Sequence, residues 1–218
     1  MFNNPISKSL VLLALGLVLA MALPAHADTL GDRIAELQHG WAQAYYQVPE
    51  AEKESRFDAL ITRSESVVAE FPARAEPMIW EAIVLSSAAK FQGGLGALDK
   101  IKRARDLLLA AEKIDPKALD GSVYTSLGSL YAKAPGWPLA FGDKKQAAAY
   151  LQKALAINPD GIDPNYFYGD LLLEQKQNAE AQIYLTKALA AAPRPGREDA
   201  DAGRRAEVQQ ALARLSKR

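Results

Sequence analysis

The chain has no cysteine and only two histidines, His26 and His39. The first absence excludes disulfides, thiolate metal ligands, cysteine nucleophiles, iron–sulfur clusters and a lipid-modified N-terminal cysteine. The second leaves His39, on the flank of the first helical segment, without a second ligand to chelate with, so it is read as structural. Charge of one sign is also lacking: 26 Lys and Arg stand against 26 Asp and Glu. A nucleic-acid backbone needs a cluster of cations, so no such partner is expected. Gly-x-Ser-x-Gly, glycine-rich phosphate loops and His-Glu-x-x-His are all missing. Strand-like alternation of useful length is missing too. What remains is a 218-residue chain, 49% apolar and 24% charged, the balance of an ordinary globular protein with ample material for a core.

Residues 1–8 are polar with one cation, Lys8, and 9–23 form an almost unbroken apolar run. Pro24 and the small-x-small triplet Ala25-His26-Ala27 follow. This is the layout of a secretory signal peptide. The run falls short of the roughly 20 residues of a spanning helix and has no cations behind it. Cleavage is expected after Ala27, leaving residues 28–218, an exported product in a bacterial periplasm with no stable membrane insertion. Removing Lys8 changes the net charge only to −1.

From Asp28 onward the apolar periodicity is helical throughout. Leu30, Ile34, Leu37, Trp41 and Tyr45 recur at spacings of three and four, one face of a helix, with Asp28-Thr29 as its cap. A second helical segment holds Phe57, Leu60, Ile61, Ser64, Val67, Val68 and Phe71 and stops at Pro72. Further helices are predicted from Pro77, over 97–114, 122–133 and 143–157, from Asp163 as a cap to about Gln175, over 179–191, and from about Glu198 to the end. Each is separated from the next by Pro, Gly or Asp-rich breaks. Nine helices joined this way imply an all-α fold.

The sequence also repeats. The ten residues from Tyr150 to Pro159 match those from Tyr184 to Pro193 at seven positions, with a constant offset of 34. Ala147 and Ala181 extend the match. A 34-residue helix–turn–helix period resembles the tetratricopeptide repeat (TPR) family. That family's pattern of small residues at helix crossings, a large apolar residue between helices and a closing Pro falls on Ala147, Leu151, Ala154 and Pro159. In the next repeat it falls on Ala181, Leu185, Ala188 and Pro193. Leu127, Gly128 and Tyr131 fill the first-helix places of one repeat, and Gly169 and Leu172 two of the three in the next, where Tyr168 replaces the usual Leu. An upstream copy lies at an offset of 43, with Ala104, Leu108, Ala111, Ile114 and Pro116 on their counterparts. Its extra spacing points to inserts at 91–96 and 135–142. Glu70-Phe71-Pro72 closes a degenerate first repeat. The resemblance implies an α-solenoid of about four helix pairs over 28–197, with residues 198–218 as a C-terminal capping helix carrying Val208, Leu212 and Leu215.

The resemblance further implies that first helices line a groove for a partner. On that geometry the groove shows Met78, Glu81 and Leu85, then Ser122, Thr125 and Ser129, then Asp163, Tyr166 and Asp170. This lining is hydroxyl-rich and neutral to acidic, with no Lys or Arg at the positions some TPR domains use to clamp a C-terminal carboxylate. The paired inserts are expected side by side on one edge, and Trp137 and Phe141 in the second are candidate anchors overhanging the groove, or else a satellite core. The stretch Asn158-Pro159-Asp160-Gly161-Ile162-Asp163-Pro164-Asn165 is rich in oxygen ligands but lacks the alternating order and final Glu of a calcium loop. It is read as turn and cap. The segment 194–201, of mixed charge, is read as a linker and cap. The expected function is a non-catalytic scaffold without cofactor or metal that binds a protein or peptide partner in the cell envelope, such as a transporter component. The alternative, on general architecture, is a solute-holding accessory protein that looks like the periplasmic T component of TRAP transporters.

Overall fold

A computed structural model describes residues 29–216, and the leader and cleavage site lie outside them. The described residues form nine α-helices: α1 (Leu30–Ala42), α2 (Glu50–Glu70), α3 (Ala75–Gln92), α4 (Gly94–Ile114), α5 (Ala118–Lys133), α6 (Lys144–Ile157), α7 (Ile162–Glu174), α8 (Asn178–Ala190) and α9 (Glu198–Ser216). A π-helical turn, Gln43–Gln47, extends α1. Thr29 caps α1 through a reciprocal pair with Asp32: its hydroxyl accepts from the Asp32 amide, and the Asp32 carboxylate accepts from the Thr29 amide. This satisfies two donors that a helix start leaves free. The α4–α5 connection turns through left-handed backbone at Leu119, Asp120 and Gly121, so the regular part of α5 begins at Ser122.

The helices pair in chain order, α3 with α4, α5 with α6 and α7 with α8. Small residues at the crossings decide how close each pair comes. A β-carbon on Gly128 would lie 2.4 Å from Leu151 Cγ, and one on Gly169 would lie 2.8 Å from Leu185 Cγ. Ala147, Leu151 and Ala154 are fully buried between α5 and the next pair, and Ala181, Leu185 and Ala188 repeat the arrangement in α8. The repeat legible in the sequence is thus the inter-helix seam of an all-α solenoid.

The odd-numbered helices also touch one another in sequence, α1 to α3, α3 to α5, α5 to α7 and α7 to α9, and α9 returns to α1. The solenoid closes on itself. Val208 and Ala211 of α9 are buried with Leu185 and Ala188 of α8, while Ala200 near its start belongs to the first core, with Trp41, Ala42, Ala44, Trp80 and Val84. The approach requires a glycine: a β-carbon on Gly203 would meet the Tyr46 ring at 2.4 Å. The C-terminal helix therefore does more than cover the last repeat. It bridges the last pair to the first.

Two connections differ from expectation. The stretch 91–96 forms no loop. α3 runs to Gln92 and α4 starts at Gly94 across left-handed Gly93 and Gly94, so the extra residues lengthen the helices. Phe91 stacks on Phe57 and meets the edge of Tyr45. Only 134–143 forms a projecting loop, closed by Gly142 N–H to Pro135 O (2.8 Å) and Asp143 N–H to Tyr131 O (3.0 Å). Among the described residues, no second insert stands beside it.

Candidate functional site

The inner helices enclose a cavity of about 780 Å³. Its walls come from α1 and the π turn (Trp41, Tyr45, Tyr46), α3, the start of α4, α5, α7, the connection before α9, and α9 itself. This size lies in the range of ligand pockets. The wall is apolar at Ile83, Leu98, Ile101 and Phe167 and aromatic at both Trp80 and Tyr166. α5 contributes the hydroxyls of Ser122, Thr125, Ser126 and Ser129, spaced so that one helix face carries all four.

Of the groove and loop residues singled out from the sequence, Ser122, Thr125, Ser129, Asp163, Tyr166 and Asp170 line this cavity. Met78, Glu81, Leu85, Trp137 and Phe141 do not. Glu81 is 1% exposed and points away from the cavity, to Arg103 of α4, which also binds Glu65 of α2 at 2.6 Å. The cavity face of α3 is instead Trp80, Ile83, Ser86, Ser87 and Lys90, so Met78 and Leu85 are likewise off it. Burial pushes the Glu81 carboxyl above its ordinary value despite Arg103. Trp137 and Phe141 separate from each other. Phe141 folds down, edge-on to Tyr131 (5.1 Å) and under the Arg105 guanidinium (4.6 Å). Trp137 stands in solvent, 89% exposed, beside the exposed Leu139. The loop reaches the cavity only at its root, through Ala134 and Pro135, and its two aromatics do not line it.

The largest departure from the sequence reading is in charge. Six cationic side chains, Lys90, Lys133, Arg194, Arg197, Arg204 and Arg214, line the cavity against Asp163, Asp170 and Glu207. The four arginines belong to the connection before α9 and to α9, read from sequence as linker and cap. Asp163 was expected to cap α7, yet the N-cap is Gly161. Asp163 Oδ1 accepts from Arg204 Nε and Oδ2 from Arg194, both at 2.7 Å. Arg194 also binds Asp201 (2.6 Å), and Arg204 binds Glu207 (2.6 Å), which accepts from the Tyr46 hydroxyl (3.0 Å). This network ties α7, the connection, α9 and the π turn together. Burial alone would raise the Asp163 carboxyl, but Arg204 and Arg194 outweigh it and hold it well below the carboxylate range. Burial pushes Tyr46 and Tyr166 well above the usual phenol value. On the other side of the wall, Asp170 receives Lys133 (2.6 Å) and Arg214 (2.9 Å), and Lys133 and Lys144 both meet Glu174.

Sequence reasoning missed this cationic wall because it depends on closure of the ring. The signal was present in part: Arg194, Arg197, Arg204 and Arg214 lie close together in a segment treated as a terminus.

The arrangement defines a class, a helical-repeat protein whose concave face encloses a ligand-sized cavity. Residues 139–215 match the tetratricopeptide repeat family model. That segment carries tetratricopeptide repeats, and the chain's 34-residue internal repeat falls within it. No curated protein matches the chain. Among solved structures, it is similar to a thermophilic TPR protein of Thermus thermophilus, with 19% identity, covering 85% of this chain and 100% of that one, at a TM-score of 0.45. It is also similar to pilF of Pseudomonas aeruginosa, with 16% identity, covering 85% and 91%, at a TM-score of 0.37.

Proposed function

We propose that this is a non-catalytic binding scaffold, exported and freed of residues 1–27, that holds a segment of a protein partner of the cell envelope in its central cavity. The observation that carries this reading is the cavity itself, walled by every odd-numbered helix. TPR domains as a class serve protein–protein interaction, and among the described residues no helix is long and apolar enough to cross a membrane. The exposed Trp137 supplies a second contact outside the cavity. An exposed aromatic on a closed loop has the character of an interface anchor.

A second reading, a small ligand held in the same cavity, is favoured by the closure through α9, which limits the length of chain that fits inside. Cross-linking from within separates the two. A photo-reactive residue replacing Ser126 is expected to capture a protein in the expressing bacterium, while one at exposed Lys113 captures none. No adduct from Ser126, together with a small-molecule mass on the protein in native mass spectrometry, would replace the first reading with the second. Export is checked separately, by finding Asp28 as the N-terminus of protein recovered from the periplasm.

A further inference from the structure

Five of the six cavity cations have partners in the protein. Arg194 and Arg204 meet Asp163, Asp201 and Glu207, Lys133 and Arg214 meet Asp170, and Lys90 donates to the Tyr45 hydroxyl at 2.6 Å. Arg197 is different. Its guanidinium makes no hydrogen bond or ion pair among the described residues, and its buried Nε has no acceptor. It lies 5.1 Å from the centre of the Trp80 ring. Trp80 is only 4% exposed, and its Nε1–H has no acceptor either. Two buried donors without acceptors, stacked on each other in one cavity wall, are an exception that calls for a cause. Asp163, Asp201 and Asp199 act on Arg197 through space, but a buried N–H that no acceptor meets is still unfavourable. Burial, and then the neighbouring Arg194, push Arg197 below the ordinary guanidinium value, the direction that an arriving anion reverses.

We propose that Arg197 and Trp80 form the receptor for a carboxylate, and that the ligand is a monoanion with an apolar body. Arg binds carboxylates through a planar, two-point fork, and the indole N–H adds a third donor to the same group. The surroundings set the charge. Asp163, Asp201 and Glu207 equal Arg194, Arg197 and Arg204 in number, so the spot has no surplus positive charge and only the unmatched donors of Arg197 and Trp80 are on offer, a setting that suits a single carboxylate and opposes a phosphate dianion. Ile83, Leu98 and Ile101 face the same space for the apolar part, and the α5 hydroxyls of Thr125 and Ser126 stand ready for further polar groups. The inference rests on the reading of the cavity as a ligand site and names what that site recognises.

The test uses octanoate, its uncharged analogue octanamide, inorganic phosphate, and an acetylated Ala-Leu-Phe peptide with a free or an amidated C-terminus. Calorimetry and indole N–H NMR are run on the purified protein. A charged hydrogen-bonded contact contributes about 1.5–3 kcal/mol, so a free carboxylate should bind at least roughly tenfold more tightly than its amide. Arg197→Gln should erase that preference with at most a small change in the unfolding temperature, because Arg197 makes no hydrogen bond or ion pair to another side chain and gives up only its contact with the Trp80 ring. Trp80→Phe, which keeps the ring and removes the donor, should weaken carboxylate binding and remove the one indole signal that moves on titration. Octanoate binding identifies a small acid, and binding of the peptide acid alone identifies a chain terminus. Equal binding of acid and amide, stronger binding of phosphate, or an unchanged preference in Arg197→Gln overturns the proposal. If every carboxylate fails while Ser126 still cross-links a protein, the inference falls and the scaffold reading stands.

Discussion

Trp137 and Phe141, four residues apart in the sequence, meet different surroundings in the fold. Phe141 packs against Tyr131 and Arg105, so truncation removes buried contact. Phe141→Ala should destabilise the protein by about 3 kcal/mol, read by urea denaturation. Trp137→Ala removes a solvated side chain and should leave the unfolding midpoint within about 0.5 kcal/mol of wild type, while weakening capture of the partner. A large loss of stability in Trp137→Ala with partner capture intact would return the loop to the core. Asp163 is the residue whose role the sequence hid most completely, since Asp before Pro at a helix start reads as a cap. Asp163→Asn leaves Arg204 and Arg194 short of a counter-charge and should cost about 3 kcal/mol at neutral pH. The folded carboxyl is held below its unfolded value, so this stabilisation is complete above pH ~4 and is lost as pH falls further. The stability gap between wild type and Asp163→Asn should therefore narrow between pH 5 and pH 3, a trend that denaturation at both pH values checks.

Helices were the most legible elements, because each buries a stripe at a fixed period and ends at Pro, Gly or Asp. The seam residues Gly128, Leu151, Gly169 and Leu185 were legible through the repeat. At Gly128 the space beside Leu151 admits no further carbon, so Gly128→Ala should lower stability by about 1–3 kcal/mol and shift the melting midpoint accordingly. The stretch 91–96 was misread because glycines signal a loop, and two successive left-handed glycines also make a sharp nick between helices. The inner face of α3 was misread because α3 is buried nearly all round. Its periodicity therefore gives no preference between the cavity and the α4 seam. Glu81 was placed in the groove by the geometry that the family resemblance implies, whereas it turns to Arg103 on the adjacent outer helix α4.

At the scale of the whole molecule, the decisive feature is a contact between the two ends of the described chain. Tyr46 meets Gly203 and Glu207, His39 lies 3.6 Å from Asp199, and Arg197 covers Trp80. No local pattern announces pairing over more than 110 residues, and a solenoid model, in which each repeat touches only its neighbours, argues against it. Closure turns a groove into a cavity and a neutral lining into a cationic one, so the site depends on it. Gly203 is the place to break it. Gly203→Leu puts a branched side chain where the Tyr46 ring already stands, while the helix-forming propensity of α9 improves. The Val208–Ala211 face can stay on α8, so the fold should survive with its ends apart. Hydrogen exchange should quicken across α1 and the π turn, small-angle scattering should report a larger radius of gyration, and carboxylate binding should weaken together with partner capture. Deleting 197–218 should do the same and also expose the α8 face, adding aggregation that Gly203→Leu lacks. Unchanged exchange in α1 would mean that the ends are held by contacts other than this one. A Gly203→Leu protein that opens yet still binds would place the ligand on the concave wall of α3 and α5 alone.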